Sequence, residues 1–344
     1  MKVRHVQIAF TESSFIYHNL AKIQAKAKDQ ISILSYKHYS GEKIREDVCI
    51  RGCNSSTFRF LRELFSSRVD VIHFHNVQLV MLALPFLIFN FPRTATCTTV
   101  HTSRSNYNFL NLIFFYLNLV FINKIVFCSN ASRLSFYIPR ILKHKCHVIN
   151  NGIDYKLMRK YSSNRENVNR NSSAIYKFIS VGRFIPIKNH IYTLKLLNEH
   201  FRGNWLLTII GSGSDIEETK SYIENNNLKD RVRIISSLPR EDVYKELAEH
   251  DFFISSSKLE GLPMSPLEAL CIGLRCILSD IPAHHVFSEG DITLLFPVDN
   301  YESAAKVLNK VENISIEQDK IDQFIVKKFS ADTMIKAYRE TYLR

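Results

Sequence analysis

The sequence contains no CxxC pair, although it has seven cysteines, at positions 49, 53, 97, 128, 146, 271 and 276. Because such pairs mark zinc sites and disulfide scaffolds, their absence predicts reduced thiols in a cytosolic protein. The first ten residues lack a signal-peptide pattern. No HExxH, GxxxxGK(S/T) or Asp-x-Asp pattern is present either, which disfavours a metal-dependent mechanism.

No uninterrupted apolar run reaches the roughly 20 residues that a membrane-spanning helix needs. The two longest runs cover residues 77–91 and 109–122. In the second run, Asn108, Asn111 and Asn118 are spaced so that they share one stripe of a helix. This pattern predicts an amphipathic helix, either buried against a sheet or in contact with lipid, and not a transmembrane segment.

Acidic residues are scarce in the first half of the chain. Residues 1–170 contain 24 Lys and Arg but only 9 Asp and Glu, a net charge of +15, whereas the whole chain carries +12. A basic half predicts an anionic partner, either an acidic lipid surface, a phosphate-bearing substrate or nucleic acid. Nucleic acid is disfavoured because the cations are spread out, the aromatic residues follow core spacing and no base-stacking module is apparent.

A chain of 344 residues is long enough for two domains. Apolar strand-like runs alternate with helical stretches in both halves, which is typical of parallel α/β sheets. The predicted strands cover 3–10, 31–36, 69–74, 94–101, 124–129 and 147–150, then 176–181, 205–211, 232–235, 252–255 and 275–278. A polar stretch at 160–173 predicts a linker between the two halves.

The most informative segment runs from Glu260 to Glu268 (EGLPMSPLE). Ser265 and Glu268 have the spacing of a helix capping box, and Pro266 would then occupy the first helical position. Glu260 precedes this helix in a strand-to-helix loop, where open α/β sheets bind their ligands. An acidic side chain beside a helix start predicts a site for hydroxyls and an anionic group.

A glycine and two cations, Gly182, Arg183 and Lys188, follow the first predicted strand of the second half. The planar guanidinium and the ammonium point charge suit a diphosphate without a metal. Two solvated cations at a strand end would produce the same pattern.

Three histidines lie at the ends of predicted strands. His101 ends one strand, and His73 and His75 alternate at the end of another, so all three could face a cleft between the domains. Each taken singly could equally be a structural histidine. Gly211 and Gly213 look like the opening of a dinucleotide fingerprint, but the third glycine is missing and the pair predicts only a tight turn.

In chain order, the segments VGRFIPIKNH, IIGSGSD, EGLPMSPLEAL and SDIPAHHVF resemble the donor domain of family 4 glycosyltransferases, retaining enzymes of the GT-B fold. VDVIHFHN, TVHT, IVFCSNAS and VINNGID resemble the acceptor domain, and FSADTMIKAYRETY resembles the helix that crosses back to it. The resemblance implies an α/β protein with two Rossmann-like parallel-sheet domains facing across a cleft. The implied divisions are an acceptor-side domain at 1–160, a linker at 161–174, a nucleotide-sugar domain at 175–328 and the crossing helix at 329–344.

The resemblance also implies roles for individual residues. Glu260 and His101 would be catalytic, Glu260 at the donor-sugar hydroxyls and His101 beside the transferred sugar. The residues implied to bind the donor are Gly182, Arg183, Lys188, Gly261, Leu262, Pro263 and, at the ribose, Glu268. Many relatives have a glycine-rich loop where residues 10–15 contain no glycine, so Glu12, Ser13 and Ser14 are predicted to shape an acceptor pocket. No metal or other cofactor is expected.

The resulting hypothesis is a retaining, metal-independent glycosyltransferase. It would move a hexose-type sugar from a nucleotide sugar to a lipid-linked or phosphate-bearing glycan, as in the assembly of lipopolysaccharide or another surface polysaccharide. The basic first half predicts a cytoplasmic protein held peripherally on the inner face of the cytoplasmic membrane. Two alternatives stay open: a non-catalytic membrane-associated subunit that binds glycan without transferring sugar, and a nucleotide-sugar epimerase or phosphorylase.

Overall fold

The computed structural model describes residues 1–9, 20, 24, 29–37, 48–90, 94–162, 175–288, 292–311 and 318–343. The chain divides into two compact units, the first formed by Met1–Gly152 together with Phe329–Arg344 and the second by Ile153–Lys328. Glu12, Ser13 and Ser14 of the predicted acceptor pocket lie outside the described residues, as do residues 163–174 of the predicted linker.

The first unit contains a seven-stranded parallel sheet with the strand order β3-β2-β1-β4-β5-β6-β7. The strands are β1 (Lys2–Gln7), β2 (Gln30–Ser35), β3 (Cys49–Gly52), β4 (Val71–Phe74), β5 (Ala95–Val100), β6 (Lys124–Phe127) and β7 (Cys146–Val148). Six of these correspond to predicted strands, with ends that differ by a few residues. β3 was not predicted, because this short edge strand buries none of its side chains fully and carries little apolar signal.

The second unit contains a six-stranded parallel sheet with the order β10-β9-β8-β11-β12-β13. The strands are β8 (Tyr176–Val181), β9 (Trp205–Ile210), β10 (Val232–Ile235), β11 (Phe252–Ser255), β12 (Arg275–Ser279) and β13 (Thr293–Phe296). The sequence predicted all of them except the edge strand β13. In each sheet the order reverses between the first and the fourth strand, the position at which open α/β sheets bind ligands.

Helices connect the strands, as parallel pairing requires. Those in the first unit are α1 (Thr57–Leu64), α2 (Val77–Asn90), α3 (Phe109–Phe121) and α4 (Asn130–Ser135). Those that follow are α5 (Tyr155–Arg159), α6 (His190–Lys195), α7 (Ile216–Asn225), α8 (Arg240–Ala248), α9 (Met264–Ile272), α10 (His285–Ser288), α11 (Tyr301–Leu308), α12 (Gln318–Phe329) and α13 (Ala331–Leu343).

The last helix, α13, belongs to the first unit. Tyr338 and Tyr342 of α13 are buried in one apolar cluster with Val3 and Val71 of the first sheet. Gly152 allows the backbone to approach this helix closely, because a Cβ atom there would lie 2.9 Å from the carbonyl oxygen of Ser330. The segment that the sequence predicted to cross back, 329–344, is therefore part of the core of the first unit.

The division between the units precedes the predicted linker. α5 packs against α9 of the second unit, and Arg159 at its end forms an ion pair with Asp322 at 3.6 Å. Residues 153–160, which the sequence placed in the first domain, thus group with the second unit. A polar run indicates a linker, but it does not reveal which unit the helix before it will join.

The apolar run at 109–122 forms α3; Asn111 and Asn118 of its polar stripe contact the protein, whereas Asn108 is exposed and caps the start of the helix. Asn118 is buried; its side chain accepts a hydrogen bond from the Thr98 hydroxyl at 3.1 Å and donates to the Val77 carbonyl oxygen at 3.2 Å. Asn111 accepts a hydrogen bond from Gln78 at 2.8 Å. Within the described parts of the chain, no helix combines the length and apolar character needed to cross a membrane.

Candidate functional site

The predicted donor residues lie on two loops at neighbouring strand ends of the second unit. Gly182, Arg183 and Lys188 follow β8, and Glu260 follows β11. β8 and β11 are adjacent, and the strand order reverses between them. These loops therefore occupy the position where a parallel α/β sheet presents its binding site.

Hydrogen bonds hold the two loops together. The Lys258 amide donates to the Ile187 carbonyl oxygen at 2.8 Å. The Ser256 hydroxyl, itself buried, donates to the Asn189 carbonyl oxygen at 2.7 Å. Because both loops carry predicted site residues, these bonds keep the site geometry rigid before any ligand arrives.

Lys188 and Glu260 form a direct ion pair. The Lys188 ammonium donates to Glu260 Oε1 at 2.5 Å, and the two side chains are only 18% and 13% exposed. Lys188 lies across Gly182, because a Cβ atom at Gly182 would come within 3.3 Å of the lysine Cε. Gly182 and Lys188, which the sequence singled out together, thus form one contact group with Glu260.

Arg183 lies beside this group with its side chain exposed. Its carbonyl oxygen accepts a hydrogen bond from His190 Nε2 at 3.2 Å. The described residues offer its guanidinium no ion pair. The backbone of Arg183 is therefore held in place while its charge remains available to an anionic ligand.

Gly211 and Gly213 support the loop that carries Arg183. The Phe184 amide donates to the Ser212 carbonyl oxygen at 2.9 Å. A Cβ atom at Gly211 would lie 1.9 Å from the Gly182 carbonyl oxygen, and one at Gly213 would lie 2.2 Å from that of Phe184. Both glycines also have positive φ, +156° and +155°. The Gly-x-Gly pattern thus serves close packing of two backbone loops.

His284 is a buried histidine next to the ion pair that the sequence did not single out. Its Nδ1 donates to the Ser279 carbonyl oxygen at 2.8 Å, and its Nε2 has no hydrogen-bond partner among the described residues. Burial lowers the pKa of His284 to about 4, while the nearby Glu260 carboxylate opposes the shift. The segment SDIPAHHVF contained this residue but gave no signal of its burial.

The helix that follows Glu260 starts differently from the prediction. Gly261 and the buried Leu262 lead to Pro263, the N-cap residue of α9, and no side chain caps the helix. The predicted capping box is wrong, because the helix already begins at Met264 and Ser265 lies inside it. Among the described residues, no side chain accepts a hydrogen bond from the first amides of α9.

Glu268 pairs with Arg240 of α8 instead of capping its own helix. The Glu268 side chain is 4% exposed and accepts a hydrogen bond from the Arg240 guanidinium. Burial raises the pKa of Glu268, and the Arg240 charge opposes the shift. Arg240 also donates to the Tyr244 hydroxyl at 2.7 Å. No sequence pattern indicated Arg240 or Tyr244 as site residues, because only tertiary packing brings α8 to α9.

His101 belongs to a line of histidines at the strand ends of the first sheet. Its Nε2 lies 3.2 Å from His75 Nδ1, and His75 Nε2 lies 3.0 Å from His5 Nδ1. His5 Nε2 in turn lies 2.7 Å from the side-chain oxygen Oε1 of Gln24. Burial lowers the pKa of His5 to about 4 and that of His101 to about 3. The sequence indicated His101 and His75 but missed His5 and Gln24.

His73 forms a second branch of the same cluster. Its two ring nitrogens lie 2.7 Å from the Tyr342 hydroxyl and 2.7 Å from the Thr99 hydroxyl. The ligating atoms of His5, His73 and His75 fall within 4.8 Å of one another, a spacing that a metal ion could share. All six ring nitrogens of these three residues already have hydrogen-bond partners. The geometry is that of a neutral hydrogen-bonded network.

Comparison with known proteins gives one family match and several relatives. Residues 164–327 match the family model described as glycosyl transferases group 1. The capsular polysaccharide biosynthesis glycosyltransferase CapH of Staphylococcus aureus is 24% identical over 283 residues, which cover 78% of this chain and 77% of CapH. A UDP-Gal:alpha-D-GlcNAc-diphosphoundecaprenol alpha-1,3-galactosyltransferase of Escherichia coli is 25% identical over 214 residues, 58% of this chain and 54% of that protein.

A solved structure shares the fold of this chain. Anabaena Alr3699/HepE in complex with UDP-glucose superimposes with a TM-score of 0.79 at 16% sequence identity, over 99% of both chains. At that identity the likeness establishes the fold alone. It confirms the fold class predicted from the sequence, the GT-B fold with two Rossmann-like parallel-sheet units.

Proposed function

Because residues 164–327 match the family model described as glycosyl transferases group 1, we propose that the chain is a retaining, metal-independent glycosyltransferase for a hexose-type sugar. The proposed donor is a nucleotide sugar. The proposed acceptor is a lipid-linked or phosphate-bearing glycan in the assembly of a surface polysaccharide such as lipopolysaccharide.

The observation that carries this proposal is the pairing of Lys188 with Glu260 at the reversal point of the second sheet. A nucleotide sugar offers a diphosphate to the cation and hydroxyls to the carboxylate. His284 supports a ligand here as well, because a buried polar atom without a partner costs about 1–3 kcal/mol. A bound donor could supply that partner.

In the proposed complex, the donor diphosphate replaces Glu260 as the ion-pair partner of Lys188. It also binds the guanidinium of Arg183. The amides at the start of α9, which no side chain caps, add a positive dipole end. Two cations and a helix start can neutralise a departing diphosphate without a divalent ion. Released from Lys188, Glu260 accepts hydrogen bonds from hydroxyls of the donor sugar.

The proposed transfer proceeds on one face of the sugar. The bond from the anomeric carbon to the phosphate oxygen breaks while the acceptor hydroxyl oxygen bonds to the same carbon. The acceptor proton passes to the departing phosphate oxygen, so the configuration is retained and no side-chain base is required. The protein contributes electrostatic stabilisation of the leaving group, and His101 is proposed to lie beside the transferred sugar.

Two similar proteins support the proposed donor and acceptor. The Escherichia coli relative is named for a diphosphoundecaprenol-linked acceptor, and HepE was solved with UDP-glucose. A lipid-linked diphosphate is anionic, which agrees with the net charge of +15 on residues 1–170.

Replacing Lys188 by alanine is expected to weaken nucleotide binding. One charge-assisted hydrogen bond contributes about 1.5–3 kcal/mol, so affinity should fall by about tenfold to a hundredfold. Titration calorimetry with UDP, GDP, ADP and their sugar conjugates would identify the preferred nucleotide and measure the change.

The matched control for this experiment is Lys220→Ala. Lys220 is an exposed lysine of the same unit, and it pairs with Glu217 at 2.7 Å. The control should bind nucleotide as the wild type does. Equal affinities for wild type and Lys188→Ala would reject the donor site.

The exposed side of α3 supports the proposed membrane contact. It adjoins the turn Arg140–Lys145, since Lys145 donates to the Val120 carbonyl oxygen at 2.7 Å and Tyr116 donates to that of Tyr137 at 3.1 Å. The exposed apolar residues here are Phe109, Leu110, Ile113, Val120, Phe121, Tyr137 and Ile141. The adjacent cations Arg140 and Lys143 are exposed too. Apolar side chains flanked by cations suit the surface of an anionic bilayer.

The double variant Phe109→Ser, Phe121→Ser is expected to lose binding to vesicles that contain an anionic phospholipid. Each buried aromatic side chain contributes about 1.5–3 kcal/mol, so partitioning should fall by at least about a hundredfold. Co-sedimentation with phosphatidylglycerol vesicles would measure it. Val326→Ser, which changes an exposed apolar residue of the second unit, serves as the control. Wild type that stays in the supernatant would refute the membrane contact.

A further inference from the structure

A cavity of about 270 Å³ lies at the amino ends of β1, β2 and β3, between the sheet and the end of α1. Arg4 of β1, Ser32 of β2 and Cys49 of β3 stand opposite one another in the sheet register, so their side chains share one face. Ser67 and Arg68 line the cavity from the segment that follows α1. This edge of the sheet is opposite to the carboxyl ends of the strands, where parallel α/β sheets usually bind their ligands.

The lining of this cavity carries an excess of positive charge. Its cationic side chains are those of Lys2, Arg4, Arg51 and Arg68, and Glu63 is the acidic member among the described residues that line it. These five side chains have a net charge of +3. An anionic ligand would therefore be attracted into the cavity.

Glu63 is already shared between two arginines. Its carboxylate accepts hydrogen bonds from Arg51 and, at 3.2 Å, from Arg62, which does not line the cavity. Lys2 and Arg68 are exposed, and the described part of the chain provides no ion-pair partner for either side chain. The single carboxylate thus leaves most of the positive charge of the cavity without a counter-ion.

Arg4 is the deeply placed cation of this group, with only 6% of its surface exposed. It donates hydrogen bonds to the carbonyl oxygens of Glu63 at 3.1 Å and of Leu64, and to the Ser67 hydroxyl at 2.5 Å. These contacts satisfy the carboxyl-terminal end of α1 and fix the guanidinium, but none of these acceptors is ionised. Burial lowers the pKa of Arg4, and the charge of Arg51 lowers it further. A bound anion would offset this repulsion.

A cavity at the corresponding edge of the second unit has a different charge balance. It lies near the amino ends of β8, β9 and β10 and has a volume of about 410 Å³. Four Lys or Arg residues and three Asp or Glu residues line it, a net charge of +1, and two of them, Arg233 and Glu246, form an ion pair. The charge excess in the first unit is therefore not a general consequence of this position in a parallel sheet.

We propose that the cavity at the amino ends of β1, β2 and β3 binds a small phosphate-bearing anion, with Lys2, Arg51 and Arg68 in contact with the phosphate and Arg4 adding a buried positive charge. Guanidinium groups present paired N–H donors that match phosphate oxygens. A volume of about 270 Å³ is below the roughly 300–1,000 Å³ of sites for drug-sized ligands. The size favours inorganic phosphate or a small phosphate monoester over a nucleotide.

Cys49 provides a reporter within the cavity, because it lines the cavity and is exposed. On the full chain, alkylation of Cys49 by iodoacetamide, followed by mass spectrometry, should slow several-fold when inorganic phosphate or glycerol 3-phosphate is added. Sodium chloride at equal ionic strength should give no such protection. Cys146, which is partly exposed and lies on β7, is the internal reference and should react at an unchanged rate. Equal Cys49 rates in phosphate and in chloride would overturn the proposal.

Charge-matched variants test which arginines bind the phosphate. Arg51→Gln and Arg68→Gln should each raise the concentration for half-maximal protection by about tenfold or more, because each removes a charge-assisted contact. Arg62→Gln removes the same charge and also loses a contact with Glu63, but it lies outside the cavity and should behave as the wild type. An equal effect of all three variants would indicate surface charge alone and refute a site. Should Arg51→Gln not fold, Arg68→Gln decides.

Two further comparisons identify where and from what source the phosphate binds. Lys188→Ala should leave the protection of Cys49 unchanged, and Arg68→Gln should leave UDP affinity unchanged, so this site and the proposed donor site can fail separately. Protection that disappears in Lys188→Ala would overturn the proposal. Protection by phosphatidylglycerol vesicles, with none from phosphate or glycerol 3-phosphate, would show a lipid surface as the ligand and would equally overturn it.

Discussion

Glu260→Gln is expected to lower the rate of sugar transfer by about a hundredfold to a thousandfold, the effect of removing one preorganised electrostatic group from an active site. Glutamine keeps the shape of the side chain but loses the charge that binds Lys188 at 2.5 Å and that would accept hydrogen bonds from the donor sugar. The rate of nucleotide release in the presence of acceptor would measure the change.

The same variant should not lose nucleotide affinity. Lys188 would no longer be neutralised by Glu260, so its full charge would face the diphosphate, and binding of free UDP should be equal or stronger. Glu217→Gln, on the exposed helix α7, is the control and should transfer sugar at the wild-type rate. Full transfer activity in Glu260→Gln would reject this residue as part of the catalytic site.

Lowering the pH from about 7.5 to about 5 is expected to reduce the free energy of unfolding by several kcal/mol. Burial lowers the pKa of His5, His190 and His284 to about 4 and that of His101 to about 3. In the unfolded chain these groups titrate near pH 6.5, so below that pH the unfolded state binds more protons than the folded state. Each such histidine then lowers the free energy of unfolding by about 2 kcal/mol at pH 5.

Because the pKa values are lowered in the folded state, the pH range in which the free energy of unfolding changes is defined. The stabilisation is complete above about pH 6.5 and is lost as the pH falls towards 4. Urea unfolding followed by circular dichroism at several pH values would measure the slope. About 0.5 M salt should leave most of the loss intact, because desolvation and not a screened ion pair causes the shift. A free energy of unfolding that is constant from pH 7.5 to 5 would contradict the burial of these rings.

Part of the site could be predicted because its residues follow strands directly. Lys188 and Glu260 stand after apolar runs that became β8 and β11, and parallel strands bring such positions to one edge of a sheet. His284 and Arg240 could not be predicted in the same way. Arg240 meets Glu268 only because two helices pack together, and His284 is buried near Glu260 only in the folded unit.

A tertiary contact accompanies the one helix start that the sequence predicted incorrectly. The spacing of Ser265 and Glu268 satisfies a capping box, yet Glu268 is drawn into the interior by Arg240. Glu268 therefore pairs with Arg240 and does not cap its own helix, and no pattern within either helix reveals that contact.

The sequence by itself determined the alternation of strands and helices, the polar segment after the first half and the order of the loop residues, because these depend on local periodicity and on neighbours along the chain. Only the tertiary structure decided which side chains meet. His5, His75 and His101 come from three separate segments of the first sheet, and their ring nitrogens meet only after the sheet has formed. Burial then keeps those rings neutral, because the folded interior excludes the water that would solvate a charged imidazolium.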